Sequence, residues 1–165
     1  TCALPISAMM DNDLAYNEDL LANWQAFCTA PGCAFCDWPG YHYRQHADSA
    51  SRRGLPPQSL DDQRRAAALI RGSVPGQWPV LQQSANAFYY EKLVYLASMI
   101  LRRADIEPYR VQLGELRIGI TAGLNDRQLG RNPQLPFAIK VSAWATVHAP
   151  KLWRKVCRKY LKDRQ

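Results

Sequence analysis

Apolar residues recur three or four positions apart along most of this chain, which is the spacing of one face of an α-helix. The first such series follows Asn17, a residue type that caps helix starts, and two acids that suit the positive helix end. Its apolar members are Leu20, Leu21, Trp24, Phe27 and Cys28. Similar series predict helices over residues 61–71, 79–92 and 94–104. A last helix is predicted from Pro150 to the C terminus, because proline is favoured in the first helical turn.

Residues 111–147 fit two interpretations. Leucines and isoleucines between 113 and 124 have helical spacing, but Gly114, Gly119 and Gly123 would each cost such a helix about 1 kcal/mol relative to alanine. Residues from Phe137 to Val147 alternate between apolar and other positions, which is the best strand signal in the chain. We therefore expect a mainly α fold, a small helical domain, with a short β-hairpin in this region as the open alternative.

Composition excludes several classes of protein. The chain has 165 residues, of which 47% are apolar and 21% are charged, the balance of a globular domain rather than a disordered or fibrous chain. The longest uncharged apolar run, Leu93–Leu101, has about half the ~20 residues of a membrane span, so we expect no span. No basic start followed by an apolar run is seen, so we expect no secretory signal and a cytoplasmic location.

The formal net charge of +7 is unevenly distributed along the chain. Residues 1–50 carry one base and six acids, a net of −5, whereas residues 51–165 carry a net of +12. Residues 150–165 alone hold seven bases and one acid. This distribution predicts a polyanionic partner, in the first place nucleic acid.

We expect one domain over residues 9–165, preceded by a non-native leader at 1–8. Residues 1–6 can be back-translated as ACG-TGT-GCT-CTT-CCG-ATC, one strand of a common sequencing adapter, although a genuine segment could have the same sequence. Within the domain we distinguish an acidic head with a Cys/His loop at 17–60, a helical core at 61–125, and a strand plus a basic C-terminal helix at 126–165.

Five metal-ligating side chains lie within nineteen consecutive residues, namely Cys28, Cys33, Cys36, His42 and His46. Zinc takes four such ligands, and a C-x2-C pair supplies two of them from one tight turn, so four of these five predict a Zn²⁺ site. The segment from Cys33 to His46 resembles the retroviral-type zinc knuckle, with one extra residue before His42 and a histidine at the position of the last cysteine. The alternative is that Cys28 faces the core and that Cys33 and Cys36 are free thiols or a disulfide.

Residues 100–111 match part of a helix-turn-helix pattern. With Ile106 directly after the turn, Ile100 and Val111 occupy the positions at which the two helices pack. Asp105 stands where glycine is usual, and Leu101 stands where a small residue is preferred. The alternative is that the apolar residues between 93 and 101 simply form core.

Four short segments follow one another within residues 17–120: Leu20-Leu21-Ala-Asn-Trp24, Asp62-Gln-Arg-Arg-Ala-Ala, Phe88-Tyr89-Tyr90 and Ile100–Val111. Their order resembles that of phage Q-type antitermination regulators, which are related to sigma-factor region four. The resemblance implies a transcription regulator that binds DNA, with RNA polymerase as a protein partner. It also implies that the side chains facing the DNA groove are Tyr109, Arg110, Gln112 and Arg117. Arg102 and Arg103 would then contact phosphates.

The predicted C-terminal helix is strongly amphipathic. One face carries apolar residues, and the other carries cations that include Lys151, Arg154, Lys155, Arg158, Lys159 and Lys162. We expect the apolar face to lie on the core and the cations to contact phosphates. An anionic membrane surface, a partner groove or a merely solvated face are the alternatives.

The sequence thus favours a nucleic-acid-binding protein that is not an enzyme. The main alternative is an interaction or assembly protein of a phage or mobile element, whose basic helix docks on an acidic partner. A Cys/His metal-dependent enzyme is the third hypothesis. It ranks last because a cysteine nucleophile needs a nearby histidine and a third group that orients the histidine.

Overall fold

A computed structural model describes residues 13–32, 34 and 55–160. Those residues form helices and no strand, so the predicted mainly α fold is confirmed. The helices are α1 (Glu18–Thr29), α2 (Pro57–Ser73), α3 (Pro79–Arg102), α4 (Arg110–Asn125), α5 (Gln128–Arg131), α6 (Phe137–His148) and α7 (Pro150–Tyr160). A short 3-10 turn, Glu107–Tyr109, leads into α4.

The central helix of the molecule is α3, which contacts every other described helix from α2 to α7. The interpretation of the stretch from 93 to 101 as core is confirmed, since its apolar residues are buried except Tyr95, which is 48% exposed, and Met99, which is half-buried. Leu60 of α2, Leu116 of α4 and Ala143 of α6 belong to the same core. The two helices predicted over 79–92 and 94–104 are one, because no glycine or proline interrupts the sequence between Pro79 and Arg102.

A second, smaller core holds α1 against α2. Leu21 of α1 packs with Ala66 and Ile70 of α2. Trp24 closes one side of this core and donates a hydrogen bond through Nε1 to Ser73 Oγ, at 2.7 Å. The predicted apolar face of α1 is only partly used, since Phe27 is 65% exposed.

Two helices begin differently from the prediction. The Asn17 side chain makes no capping hydrogen bond, and its backbone is left-handed, with φ of 65°. Helix α2 begins at Pro57 rather than at Asp61, because proline fits the first helical turn. Asp62 is buried and accepts a hydrogen bond from the Ala15 backbone N–H at 2.9 Å, so its carboxylate joins two segments instead of opening a helix.

The strand prediction for residues 137–147 is wrong, since these residues form α6. The alternating pattern counted Ala143 and Ala145 as strand positions, although alanine is the strongest helix former. The same residues also have helical periodicity, because Ile139, Ala143 and Val147 face the core. Contacts with α3, α4 and α7 decide between the two patterns.

The doubtful stretch after Tyr109 is also helical and forms α4, so its three glycines lie inside a helix. Among the described residues, no helix is both long and apolar enough to cross a membrane.

Candidate nucleic-acid interface

Helix α7 presents four cations on its outer surface. Lys151, Lys155, Arg158 and Lys159 are all exposed and have the spacing of one helical face, and we call them the α7 cationic face. The opposite side faces the molecule, where Cys157 is fully buried. Burial raises the pKa of the Cys157 thiol, an effect that the nearby Arg102 guanidinium opposes. The apolar face that was predicted to lie on the core does so only in part, since Leu152 is 64% exposed and Tyr160 is 68% exposed. Lys162 lies outside the described residues.

Arg154 does not belong to this outer face. Its Nη2 donates to the carbonyl oxygens of Ala104, at 2.9 Å, and of Arg103, at 3.5 Å. These carbonyls follow the last turn of α3, where backbone acceptors have no partner within the helix. Arg154 thus ties α7 to the end of α3.

The connection between α3 and α4 adds two exposed cations beside α7. Arg103 lies over the ring of Tyr109, with its guanidinium carbon 5.9 Å from the ring centre. Arg110 approaches Glu107 at 3.9 Å, and both side chains are more than 70% exposed, so this ion pair contributes little. The Arg154 contact brings this connection and the start of α7 to the same end of the molecule.

Several predicted DNA-contacting side chains make contacts inside the protein. Gln112 donates to Asp61 of α2 through Nε2, at 3.0 Å. Arg117 donates to the Val147 carbonyl of α6 through Nη2, at 3.4 Å. Tyr109 packs against the main core. Sequence spacing could not reveal these contacts, because their partners lie 30 or more residues away in the chain or in a different helix.

Two packing positions of the proposed helix-turn-helix behave differently. Ile100 is fully buried, as predicted, but Val111 is 68% exposed, so its predicted packing role is wrong. The turn lengthens into the 3-10 segment before α4, which carries Val111 out of the interface between the helices. Arg102 is half-buried and lines a cavity of about 590 Å³ between α3 and α6, together with Ser98 and Ser142.

The predicted zinc ligands are mostly not described. Cys28 is exposed near the end of α1, and Cys33, Cys36, His42 and His46 lie outside the described residues. Within residues 13–32, 34 and 55–160, no three His, Cys, Asp or Glu side chains come together as a metal site. The zinc site therefore stays a prediction, as does the non-native leader at 1–8.

The sequence interpretation missed an exposed face on α6. Phe137, Val141, Trp144 and His148 follow one another at spacings of four, three and four residues, and we call them the α6 aromatic face. The rings of Trp144 and His148 are stacked, with centroids 5.1 Å apart and planes inclined by 16°. This helical spacing was the available signal, and the assignment of these residues to a strand concealed it.

Comparison of the chain with protein-family models, with curated proteins and with solved structures finds no match. The resemblance to Q-type regulators therefore stays a prediction, which depends on the order of four short segments.

Proposed function

We propose that this protein binds nucleic acid through the α7 cationic face, with Arg103 and Arg110 of the α3–α4 connection as neighbouring phosphate contacts. The observation that carries the proposal is the exposure of Lys151, Lys155, Arg158 and Lys159 on one side of a helix that contains no acidic residue. We also propose that the protein is located in the cytoplasm.

Such a surface suits the phosphate backbone. Residues three or four positions apart on a helix have Cβ atoms about 5–6 Å apart, so the four cations form a continuous strip. Each phosphate neutralised by a lysine or arginine releases condensed counterions, which makes the affinity depend steeply on salt. Exposed Asp105 and Glu107 on the α3–α4 connection limit the cationic area on that side.

Sequence-specific DNA reading, as in a Q-type transcription regulator that contacts RNA polymerase, is the finer form of the proposal. It would depend on the few side chains that point outward at the start of α4, Arg110 and Val111. Gln112 and Arg117 are less suited to reading bases, because each already has a partner inside the protein. Phosphate contacts are therefore the main mode that we propose.

Fluorescence anisotropy with a labelled DNA duplex tests the proposal across about 50 to 200 mM salt. The Lys155→Glu variant should weaken binding at least about tenfold at low salt and lower the slope of log affinity against log salt by about 1. Arg131→Glu is the matched control, since it makes the same charge change at an exposed site. Arg131 also lies far from the proposed phosphate contact Arg103. Its neighbour Asn132 bonds to Gln83 near the start of α3, and Gln83 is about 30 Å along that helix from Arg103.

Equal losses in Lys155→Glu and Arg131→Glu would contradict a localised interface, and salt-independent or absent binding would contradict the function. In that case the alternative, an acidic protein partner of the basic helix, would take precedence. Repeating the titration with a zinc chelator shows whether a Zn²⁺ site in residues 28–46 contributes to binding.

A further inference from the structure

The α6 aromatic face is exposed although its residues are large and apolar. Phe137 is 80% exposed, Trp144 55% and Val141 43%. The Trp144 ring does not lie free on the surface, because His148 stacks against it and a 3.0 Å hydrogen bond joins His148 Nδ1 to the Trp144 carbonyl oxygen. The face thus extends along about 16 Å of helix, and its Trp144–His148 end is held in place by ring stacking and by this hydrogen bond.

In the chain, the α6 aromatic face is followed directly by the helix that carries the α7 cationic face. Ala149 is the one residue between α6 and α7, so His148 and Lys151 are no more than about 11 Å apart at their Cα atoms. Lys140, which is half-buried, lies between Phe137 and Val141 in sequence and adds a cation to α6. Helices α6 and α7 pack against each other and both pack against α3, so the exposed rings and the exposed cations belong to two adjoining helices.

We infer that the two faces together form a site for single-stranded nucleic acid, in which unpaired bases stack on Trp144 and Phe137 while the α7 cations hold the backbone. This inference rests on the proposed function and specifies its substrate. Proteins that bind single strands combine a cationic track with aromatic side chains, and every base offers a ring face for stacking. In a duplex the bases are already stacked and paired, so the aromatic face would add nothing to duplex binding.

A membrane surface is less suited to the same residues. A helix that lies in a lipid interface inserts its apolar face into the bilayer. The middle of the apolar side of α7 packs toward the protein, since Cys157 is fully buried and Trp153 and Val156 are half-buried. The exposed apolar residues of this helix, Leu152 and Tyr160, lie near its two ends. The positive charge of the α7 cationic face instead suits a polyanion, and the α6 aromatic face suits a polyanion whose bases are unpaired.

The test measures the affinity of the full chain for a labelled mixed-sequence oligonucleotide, alone and annealed to its complement. Trp144→Ala should weaken single-strand binding about tenfold or more and leave duplex binding within about twofold. Trp144→Phe should retain most of the single-strand affinity, because it keeps an aromatic ring. Trp78→Ala is the matched control, since Trp78 is 45% exposed and lies at the start of α3.

The outcomes separate this inference from the proposed function. If Lys155→Glu weakens both substrates while Trp144→Ala weakens neither or both equally, nucleic-acid binding stands and base stacking on α6 is wrong. If the wild-type chain binds neither substrate, both proposals fail. Binding to phosphatidylcholine–phosphatidylserine vesicles that depends on Trp144, with unchanged single-strand affinity, would assign the face to a membrane and overturn the inference. Equal melting temperatures of wild type and Trp144→Ala establish that the variant is folded.

Discussion

Tyr90 and Leu93 of α3 explain why two glycines lie inside α4. A Cβ atom on Gly123 would collide with the Tyr90 ring, whose Cζ atom would be 2.7 Å away, and a Cβ on Gly119 would lie 2.8 Å from Leu93 Cδ1. Tyr90 is nearly fully buried, and its hydroxyl group lies 3.2 Å from Gln128 Oε1. The ring therefore has little freedom to move. The conformational cost of these glycines is offset by close packing of the two helices.

Substitutions of two glycines in α4 test this explanation. Gly123→Ala should destabilise the protein by about 1–3 kcal/mol despite alanine's higher helix propensity, because the new methyl group overlaps the Tyr90 ring. Gly114→Ala is the control on the same helix, where nothing lies within 4 Å of the new methyl group. It should stabilise by about 0.5–1 kcal/mol. Urea unfolding followed by circular dichroism measures both changes. A Gly123→Ala variant that is at least as stable as the wild type would refute the packing argument.

Two neighbouring cations of helix α7 have different roles. Arg154 bonds to carbonyl oxygens at the end of α3, whereas the adjacent Lys155 is exposed on the α7 cationic face. Successive residues on a helix point about 100° apart, so one helix can pack and bind with neighbouring positions. The amphipathic pattern assigns both residues to the polar side, but only contacts with α3 separate them.

Alanine substitution of Arg154 should affect stability, whereas alanine substitution of Lys155 should affect DNA binding. Arg154→Ala should lower the free energy of unfolding by about 1–2 kcal/mol, because two carbonyl groups lose a charged donor. It should leave DNA affinity nearly unchanged. Lys155→Ala should change stability by less than about 0.5 kcal/mol and weaken DNA binding. Unfolding curves and anisotropy titrations of both variants measure these effects, and a similar affinity loss in Arg154→Ala would place Arg154 in the interface instead.

Helix α3 supplies half of the buried residues of the main core, more than any other helix. Leu96 is fully buried within it, among residues from several surrounding helices. Both proposed binding elements depend on this helix, because α6 and α7 each pack against it. A change in the middle of α3 should therefore affect the entire fold rather than one helix.

Leu96→Ala should destabilise the protein by about 2–5 kcal/mol, through lost burial and the cavity that remains. Val80→Ala is the control on the same helix, since Val80 is 69% exposed, and it should change stability by no more than about 0.5 kcal/mol. Denaturant unfolding gives both values. A loss below about 1 kcal/mol in Leu96→Ala would contradict the central role of α3.

Local sequence patterns are sufficient to predict the helical class, the core position of most apolar residues between 93 and 101 and the amphipathic character of α7. These properties follow from local periodicity and from proline and glycine positions, which are visible in a short stretch of chain. Packing between helices, by contrast, establishes that residues 137–147 are helical and that glycines fit within α4. It also decided which cations point outward. Arg117 and Arg154 look like surface cations in sequence, yet each bonds to a carbonyl about 30 or 50 residues away. A distant partner leaves no trace in local periodicity, so the composition of a binding surface depends on packing.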